Sequence, residues 1–575
     1  MRALQTLCVL VFLGGALGVS AAQSRQASDQ PQARADSPST PVTTVNDAVN
    51  RIIAREHDEV AIIRRYNPVV ETYVQEMKPD KALGSVPARD HYFLGQANLG
   101  KGVWDDSMLA SKHDALSDLN PLSHLSGYFT SGYNPEGFLQ MVYVDNSGFD
   151  RQHYQFEYVR REFLGNVRCL VFDVTPLPHS GRGRFRGRIW AEDQNFTIVR
   201  FNGDYSPVSG VNGYKLHFDS WRTNVQPGLW LPAFIFSENA DTHNLLGGGT
   251  RFKAQTRLWG YDLKNAGHEQ EFSQLTIESP SVQDQAAAQQ TDRSPIEAER
   301  AWQHEAEVNV LDRLERTGLL APPGEVDKLL ETVVNNLEVT NNLDIEPEVH
   351  CRILLTGTLE SFAIGHTIVL SRGLLDVLPD EASIATMLAQ ELADIIVTNP
   401  STDQYGFNDT TNVSAIEVLS RFSFRDNPAQ LELANKKALD ILKNSPYKAK
   451  LGNAGLFLKQ LASESDSLKA MINPRLGNGV NLANQLIALA PPLQPDKLDQ
   501  IAALPIGARI KMDPWNDHVA LLKAKAVPLL SAREKMPFEV TPFMPFLTRY
   551  DSGSTITADP SRTDLAKKQQ PPPQP

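Results

Sequence analysis

The sequence predicts an α+β chain, with a mainly antiparallel β region in its N-terminal half and an α-rich region in its C-terminal half. Three observations predict it. Between about Tyr92 and Asp262, apolar and polar residues alternate with period two: Tyr154, Phe156 and Tyr158 with Gln155 and Glu157, and Phe252, Ala254, Thr256 and Leu258 with Lys253, Gln255 and Arg257. Such alternation marks strands with one buried face. From Val326 the period changes, and Val326, Leu329, Leu330, Val333, Val334 and Leu337 form one stripe at helical spacing. Between the two, residues 280–294 are rich in Gln, Ala and Asp and have no apolar period, as a linker does.

Charge and cysteine usage narrow the function. With 55 Lys and Arg against 68 Asp and Glu, the net charge is −13. That excludes an extended phosphate-binding surface, which needs clustered cations, so no nucleic-acid partner is expected. Residues 1–22 read as a secretory signal: Arg2, an apolar run from Leu7, and the small residues Ser20-Ala21-Ala22 for cleavage. The expected location is therefore exported, periplasmic or extracellular. Beyond this signal only Cys169 and Cys351 remain, so neither a disulfide framework nor a Cys-rich metal site is available.

Taken in order, residues 23–44 are rich in Gln, Ser, Pro and Ala and read as a disordered linker. Residues 45–91 read as a helical lead-in, on Val45, Val49, Ile52, Ile53, Val60 and Ile63, with an interruption at Asn67-Pro68 and a weaker continuation towards Met77. Residues 92–279 form the β region. In the α-rich region, residues 295–475, a helix starts at Pro295 and Pro322-Pro323-Gly324 breaks it before the stripe from Val326. His350–Leu355 reads as a strand, and 361–375 as a hairpin leading to a short helix. Asp380 caps a helix that contains Gln390-Glu391-Leu392-Ala393-Asp394 and ends near Asn399-Pro400. Further helices are expected at about 412–423, 429–443, 450–463 and 479–490. Residues 476–557 form a C-terminal extension, and 558–575, Pro- and Gln-rich, a disordered tail.

Two stretches resemble known families. Gly187-Arg188-Ile189-Trp190-Ala191-Glu192-Asp193-Gln194-Asn195-Phe196-Thr197-Ile198-Val199-Arg200 reads as strand, polar turn and strand ending in Arg. It resembles the pattern of LolA/LppX-type lipoprotein-carrier domains. That resemblance implies a half-barrel with an apolar face for acyl chains or a lipoprotein.

The second stretch is similar to the gluzincin metallopeptidases of the HtpX, CAAX-prenyl-endopeptidase and BepA type. Glu360-Ser361-Phe362-Ala363-Ile364-Gly365-His366-Thr367-Ile368 leads to Arg372-Gly373-Leu374-Leu375, and Asp380-Glu381 precede Leu388-Ala389-Gln390-Glu391-Leu392-Ala393-Asp394. In H-E-x-x-H the two histidines lie four apart on one helical face and hold zinc, while the Glu deprotonates the metal-bound water. Here Gln390 and Asp394 stand at the histidine positions. Leu433 aligns with the third ligand, a Glu in the family, and is expected to pack. Only Glu391 keeps the family identity, at the general-base position. His366 is a candidate binding residue, although a histidine so placed is more often a loop or strand residue bonded to backbone. With all three ligand positions substituted, no metal or other cofactor is expected.

The resemblance therefore implies an exported pseudopeptidase, in which QExxD replaces HExxH and the domain binds a peptide or protein client in envelope or secreted-protein handling. Two alternatives stand beside it. One is a zinc-dependent metalloendopeptidase with atypical ligands. The other is a lipid or lipoprotein carrier acting through the β region.

Overall fold

The first described helix, α1 (Val45–Ile63), stops just before Asn67-Pro68, a dipeptide that favours extended backbone. The chain then runs directly into strands β1 (Val69–Asp80), β2 (Gly84–Asn98) and β3 (Trp104–Ser107). The helical lead-in expected over 45–91 is thus corrected: only its first part is helix. Val69-Val70-Glu71-Thr72-Tyr73-Val74 is rich in β-branched and aromatic residues, which favour strand. Glu71 and Gln75 look like the polar face of a helix in sequence, yet both are buried in β1. Glu71 lies directly opposite Arg257 across the β1–β10 ladder, which supplies its counter-charge.

The computed structural model of the chain describes residues 44–80, 84–100, 104–107, 133, 135–205, 216–239, 251–263, 307–397, 428–473, 478–480, 484–492, 494, 500, 510–513, 518–521, 540 and 546–550. The signal segment, both linkers, the start of the helix at Pro295, the helix expected at 412–423 and the tail lie outside these residues. Among the described residues no helix is long and apolar enough to cross a membrane.

After a short helix α2 (Pro135–Leu139), strands β4 (Tyr154–Leu164), β5 (Val167–Pro176), β6 (Phe185–Glu192), β7 (Ile198–Tyr205), β8 (Leu216–Gln226), β9 (Leu229–Asn239) and β10 (Arg251–Trp259) pair antiparallel in succession. The sheet has ten strands in the order β3-β2-β1-β10-β9-β8-β7-β6-β5-β4. β3 and β4 are its edges, so it is an open sheet. The predicted strand–turn–strand at 187–200 is the β6–β7 hairpin. Buried Glu192 holds its turn by accepting from the backbone N–H of Gln194 and Asn195 at 3.0 and 2.6 Å.

Both faces of the sheet are covered. Val49, Ile52 and Ile63 of α1, with Leu139 and Val142, pack on Val70, Val74, Phe201, Phe218 and Ile235. On the opposite face Trp190, Trp221, Trp230 and Phe234 pack with Val540 and Leu547 from the C-terminal segment. That segment is tied down by Asn166 N–H to Leu547 O (2.8 Å), Arg549 Nη2 to Glu192 Oε2 (2.8 Å) and Tyr550 N–H to Asn224 Oδ1 (2.6 Å). The expected C-terminal extension therefore completes the β region.

In the α-rich region follow a helix over 307–316 (α3), α4 (Glu325–Asn341), β11 (His350–Leu354), β12 (Glu360–Ile364), β13 (Thr367–Ser371), α5 (Arg372–Val377), α6 (Glu381–Val397), α7 (Pro428–Lys443), α8 (Leu451–Glu464) and α9 (Lys469–Ile472). Where the sequence predicts a helix over 479–490, the structure has a two-residue strand β14 (Asn478–Gly479) and a shorter helix α10 (Asn484–Ile487). The small sheet runs β11-β13-β12-β14, with β11 and β13 parallel. Helices α4, α6, α7 and α8 share one apolar core with it. A further cluster joins Val69, Leu94 and Trp259 of the large sheet to Leu314, Leu320, Phe362 and Ile364. The two regions thus share core, although the sequence separates them by a linker.

Candidate functional site

Helix α6 forms as its sequence directs. Asp380 caps it, accepting from the Ser383 N–H at 2.9 Å and the Ser383 hydroxyl at 2.7 Å. Behind the cap, Tyr447 of the loop after α7 donates to Glu381 at 2.8 Å. The run from Ala382 to Ala393 is almost wholly buried.

Glu391 is 7% exposed, and its Oε1 accepts from the Ser361 hydroxyl at 2.5 Å. Ser361 owes its position to strand alternation. Phe362 and Ile364 turn towards the large sheet, so Ser361 faces the other way, onto α6. Short charge-assisted bonds of this kind are the strong ones. The bond pins the helix to strand β12. Gln390, buried beside it, and Asp394, half-buried one turn on, share a helical face.

The other two predicted residues do not join this cluster. Leu433, expected to pack, is 59% exposed on α7, because Ala434, Ala438 and Ile441 form the inward stripe of that helix. Leu433 thus lies off the buried face of its helix, and the expectation that it packs is corrected. His366 lies in the β12–β13 turn, where its carbonyl accepts from the His350 N–H at 2.9 Å. His366 lies five residues beyond Ser361, past the end of β12. Among the described residues no group of three His, Cys, Asp or Glu side chains is placed to hold a metal ion.

Three buried charge clusters escaped the sequence reading. Under α1, Arg222 makes a bidentate pair with Glu56, both bonds 2.7 Å and neither side chain exposed. Glu59 lies next to them, and burial pushes its carboxyl up to about 7 against the pull of Arg222 and Arg55. On the opposite face Arg200 pairs with Asp219 at 2.9 and 3.1 Å, its guanidinium 4.1 and 4.5 Å from the Trp190 and Trp221 ring centres. At the junction of the regions, Glu71 accepts from Tyr92 Oη (2.7 Å), Gly357 N–H (2.5 Å) and Arg257 Nη1 (2.9 Å). Nearby, Asp90 accepts from the N–H groups of Ala470 and Met471 at 2.8 and 2.9 Å. Each of the three is built on an arginine within a strand of the large sheet: Arg222 in β8, Arg200 in β7 and Arg257 in β10.

No protein-family model matches the chain, and no curated protein does. Among solved structures it is similar to a LolA superfamily protein from Nitrosomonas europaea, with 13% identity, 37% of this chain and 92% of that chain covered, and a TM-score of 0.19. A domain described as outer membrane lipoprotein-sorting, from Vibrio parahaemolyticus, gives 12% identity, 38% and 94% coverage, and 0.21. A DUF1329 family protein from Desulfovibrio piger gives 11%, 38% and 94%, and 0.19. The first two carry the names of the carrier class that Gly187–Arg200 resembles. At such scores the likeness assigns this chain no family.

Proposed function

We propose that the chain is an exported, non-catalytic protein-handling module, whose α6–β12 seam keeps the outline of a peptidase site and binds an extended segment of a client protein. The observation that supports this most directly is the Ser361–Glu391 bond. A general base must meet a metal-activated water, and this carboxylate instead anchors a helix to a strand inside the core. Metal analysis of the purified chain tests the reading, and the expected result is no stoichiometric zinc. One equivalent of tightly bound zinc, with chelator-sensitive cleavage lost in Glu391→Gln, overturns it.

A second reading, a carrier of lipid or lipoprotein, rests on the packing of α1. Its apolar stripe packs on one face of the ten-stranded sheet together with Leu139 and Val142, and its hold on that sheet includes the Glu56–Arg222 pair. A helix so placed is a plug whose withdrawal uncovers an apolar surface for acyl chains. Organic extraction of purified full-length chain recovers bound acyl species on this reading. A lipid-free extract, with no uptake of an apolar fluorescent probe, counts against it.

A further inference from the structure

A cavity of about 180 Å³ lies where the large sheet meets the α-rich region, away from the α6–β12 seam. Its inner walls are the rings of Tyr73 and Tyr92 with Leu359 and Met471. Glu71 lies at its floor, and that carboxylate already receives three hydrogen bonds, from Tyr92, Gly357 and Arg257. A carboxylate offers about four acceptor sites, so the floor is nearly saturated and its charge is compensated by Arg257. The chamber therefore favours an apolar body. Its size sets a bound on that body: an apolar cavity of about 150 Å³ takes a benzene ring, whereas drug-sized ligands need about 300 Å³ or more.

The mouth has different chemistry. Arg372, at the start of α5, and Asp376, one turn on, both line the cavity, with Nη1 and Oδ2 3.7 Å apart. The Asp376 side chain is 56% exposed and lies towards solvent, whereas Arg372 is 14% exposed, with its Nε buried, and lies mostly within the lining. Backbone packing fixes this edge. Gly373 follows Arg372, and a Cβ there would stand 2.1 Å from the Gly357 carbonyl oxygen, so α5 is pressed onto the loop that carries Gly357 and Thr358. One cation and one anion side by side, in front of a small apolar chamber, match a molecule that carries an ammonium and a carboxylate on one carbon with an apolar substituent.

We propose that this cavity binds a free apolar α-amino acid, with Arg372 receiving its carboxylate, Asp376 its ammonium, and the Tyr73–Tyr92–Met471 chamber its side chain. A planar guanidinium fork suits a carboxylate better than a lysine would. The site is independent of whether the α6–β12 seam binds a client. Calorimetric titration of the full chain with L-leucine, N-acetyl-L-leucine and L-leucinamide tests it. The expected result is L-leucine binding with a Kd at or below about 1 mM, and at least about tenfold weaker binding of each blocked form, since each lacks one charge. Arg372→Gln and Asp376→Asn are expected to weaken L-leucine binding by a similar factor. Asp376, at the exposed mouth, can be changed without disturbing the fold, so it keeps the test open should the Arg372 variant not fold. Absence of L-leucine binding overturns the proposal. So does equal binding of either blocked form, or an Asp376→Asn variant that binds as the parent does.

Discussion

Replacing Glu59 by Gln should stabilise the protein at and above neutral pH, although it removes a partner of two arginines. Glu59 has no exposed surface, and its inward neighbours are Glu56, Arg222 and the Trp230 N–H. Burial raises its carboxyl from the ordinary 4.5 to about 7, and the attraction of Arg222 and Arg55 offsets only part of that. The folded state therefore keeps a proton that the unfolded chain releases from pH 4.5 upward. Because the unfolded state binds fewer protons in this window, stability falls as pH rises through it. At about 1.4 kcal/mol per pH unit, the gap between 4.5 and about 7 amounts to roughly 3 kcal/mol. Arg222 stays compensated in the variant, because its bidentate partner is Glu56. Urea unfolding followed by fluorescence of the buried Trp190, Trp221 and Trp230 measures the effect. The variant and parent should match near pH 4.5 and diverge in the variant's favour, by about 3 kcal/mol, near pH 8. A difference that does not change with pH, or a less stable variant at pH 8, refutes the reasoning.

Asp219→Asn should destabilise the β region by about 3 to 5 kcal/mol, because it leaves the fully buried Arg200 charge without its counter-ion between two tryptophans; urea unfolding reads this directly, and a loss below about 1 kcal/mol contradicts it. Cys169 and Cys351 are free and buried, and burial pushes Cys169 up to about 12 and Cys351 up as well. A disulfide reagent such as dithionitrobenzoate at pH 8 should therefore leave these two unlabelled in the native chain, with Cys8 replaced by Ser, and modify them after denaturation, whereas rapid labelling of the native chain would show that one of them is reachable.

Local pattern carried most of the architecture. Alternation announced the strands from Tyr154 to Leu258, and the stripe from Val326 announced α4. Asp380 and Gly324 marked the starts of α6 and α4, whereas α3 ends at residue 316, short of the Pro322-Pro323 break. What local pattern hid was long-range charge pairing. The partners of buried Glu71 and Gln75, Arg257 and Val540, lie 186 and 465 residues away. For the same reason a strand passed for a continuing helix. At the candidate site, Glu391 was legible from the outline of its helix. Its partner Ser361 was not, since a lone serine in an apolar strand announces no role until the strand's two faces are assigned. Leu433 failed on helical phase: an alignment by residue order does not know which face of α7 meets the core.

The docking of residues 546–550 bears on when this protein can fold. Leu547 belongs to the core on one face of a sheet whose strands lie between Val69 and Trp259, and Arg549 closes the β6–β7 turn through Glu192. Nearly three hundred residues separate the last strand from the segment that seals it. During synthesis, the sheet can assemble while its tryptophan-rich face waits, apolar and uncovered, for the far end of the chain. Closing so long a loop is slow rather than thermodynamically prohibitive, since the entropy cost grows only with the logarithm of loop length. The interval between assembly and sealing is when this chain is most exposed to aggregation, and a chain cut short before residue 546 would remain in that state.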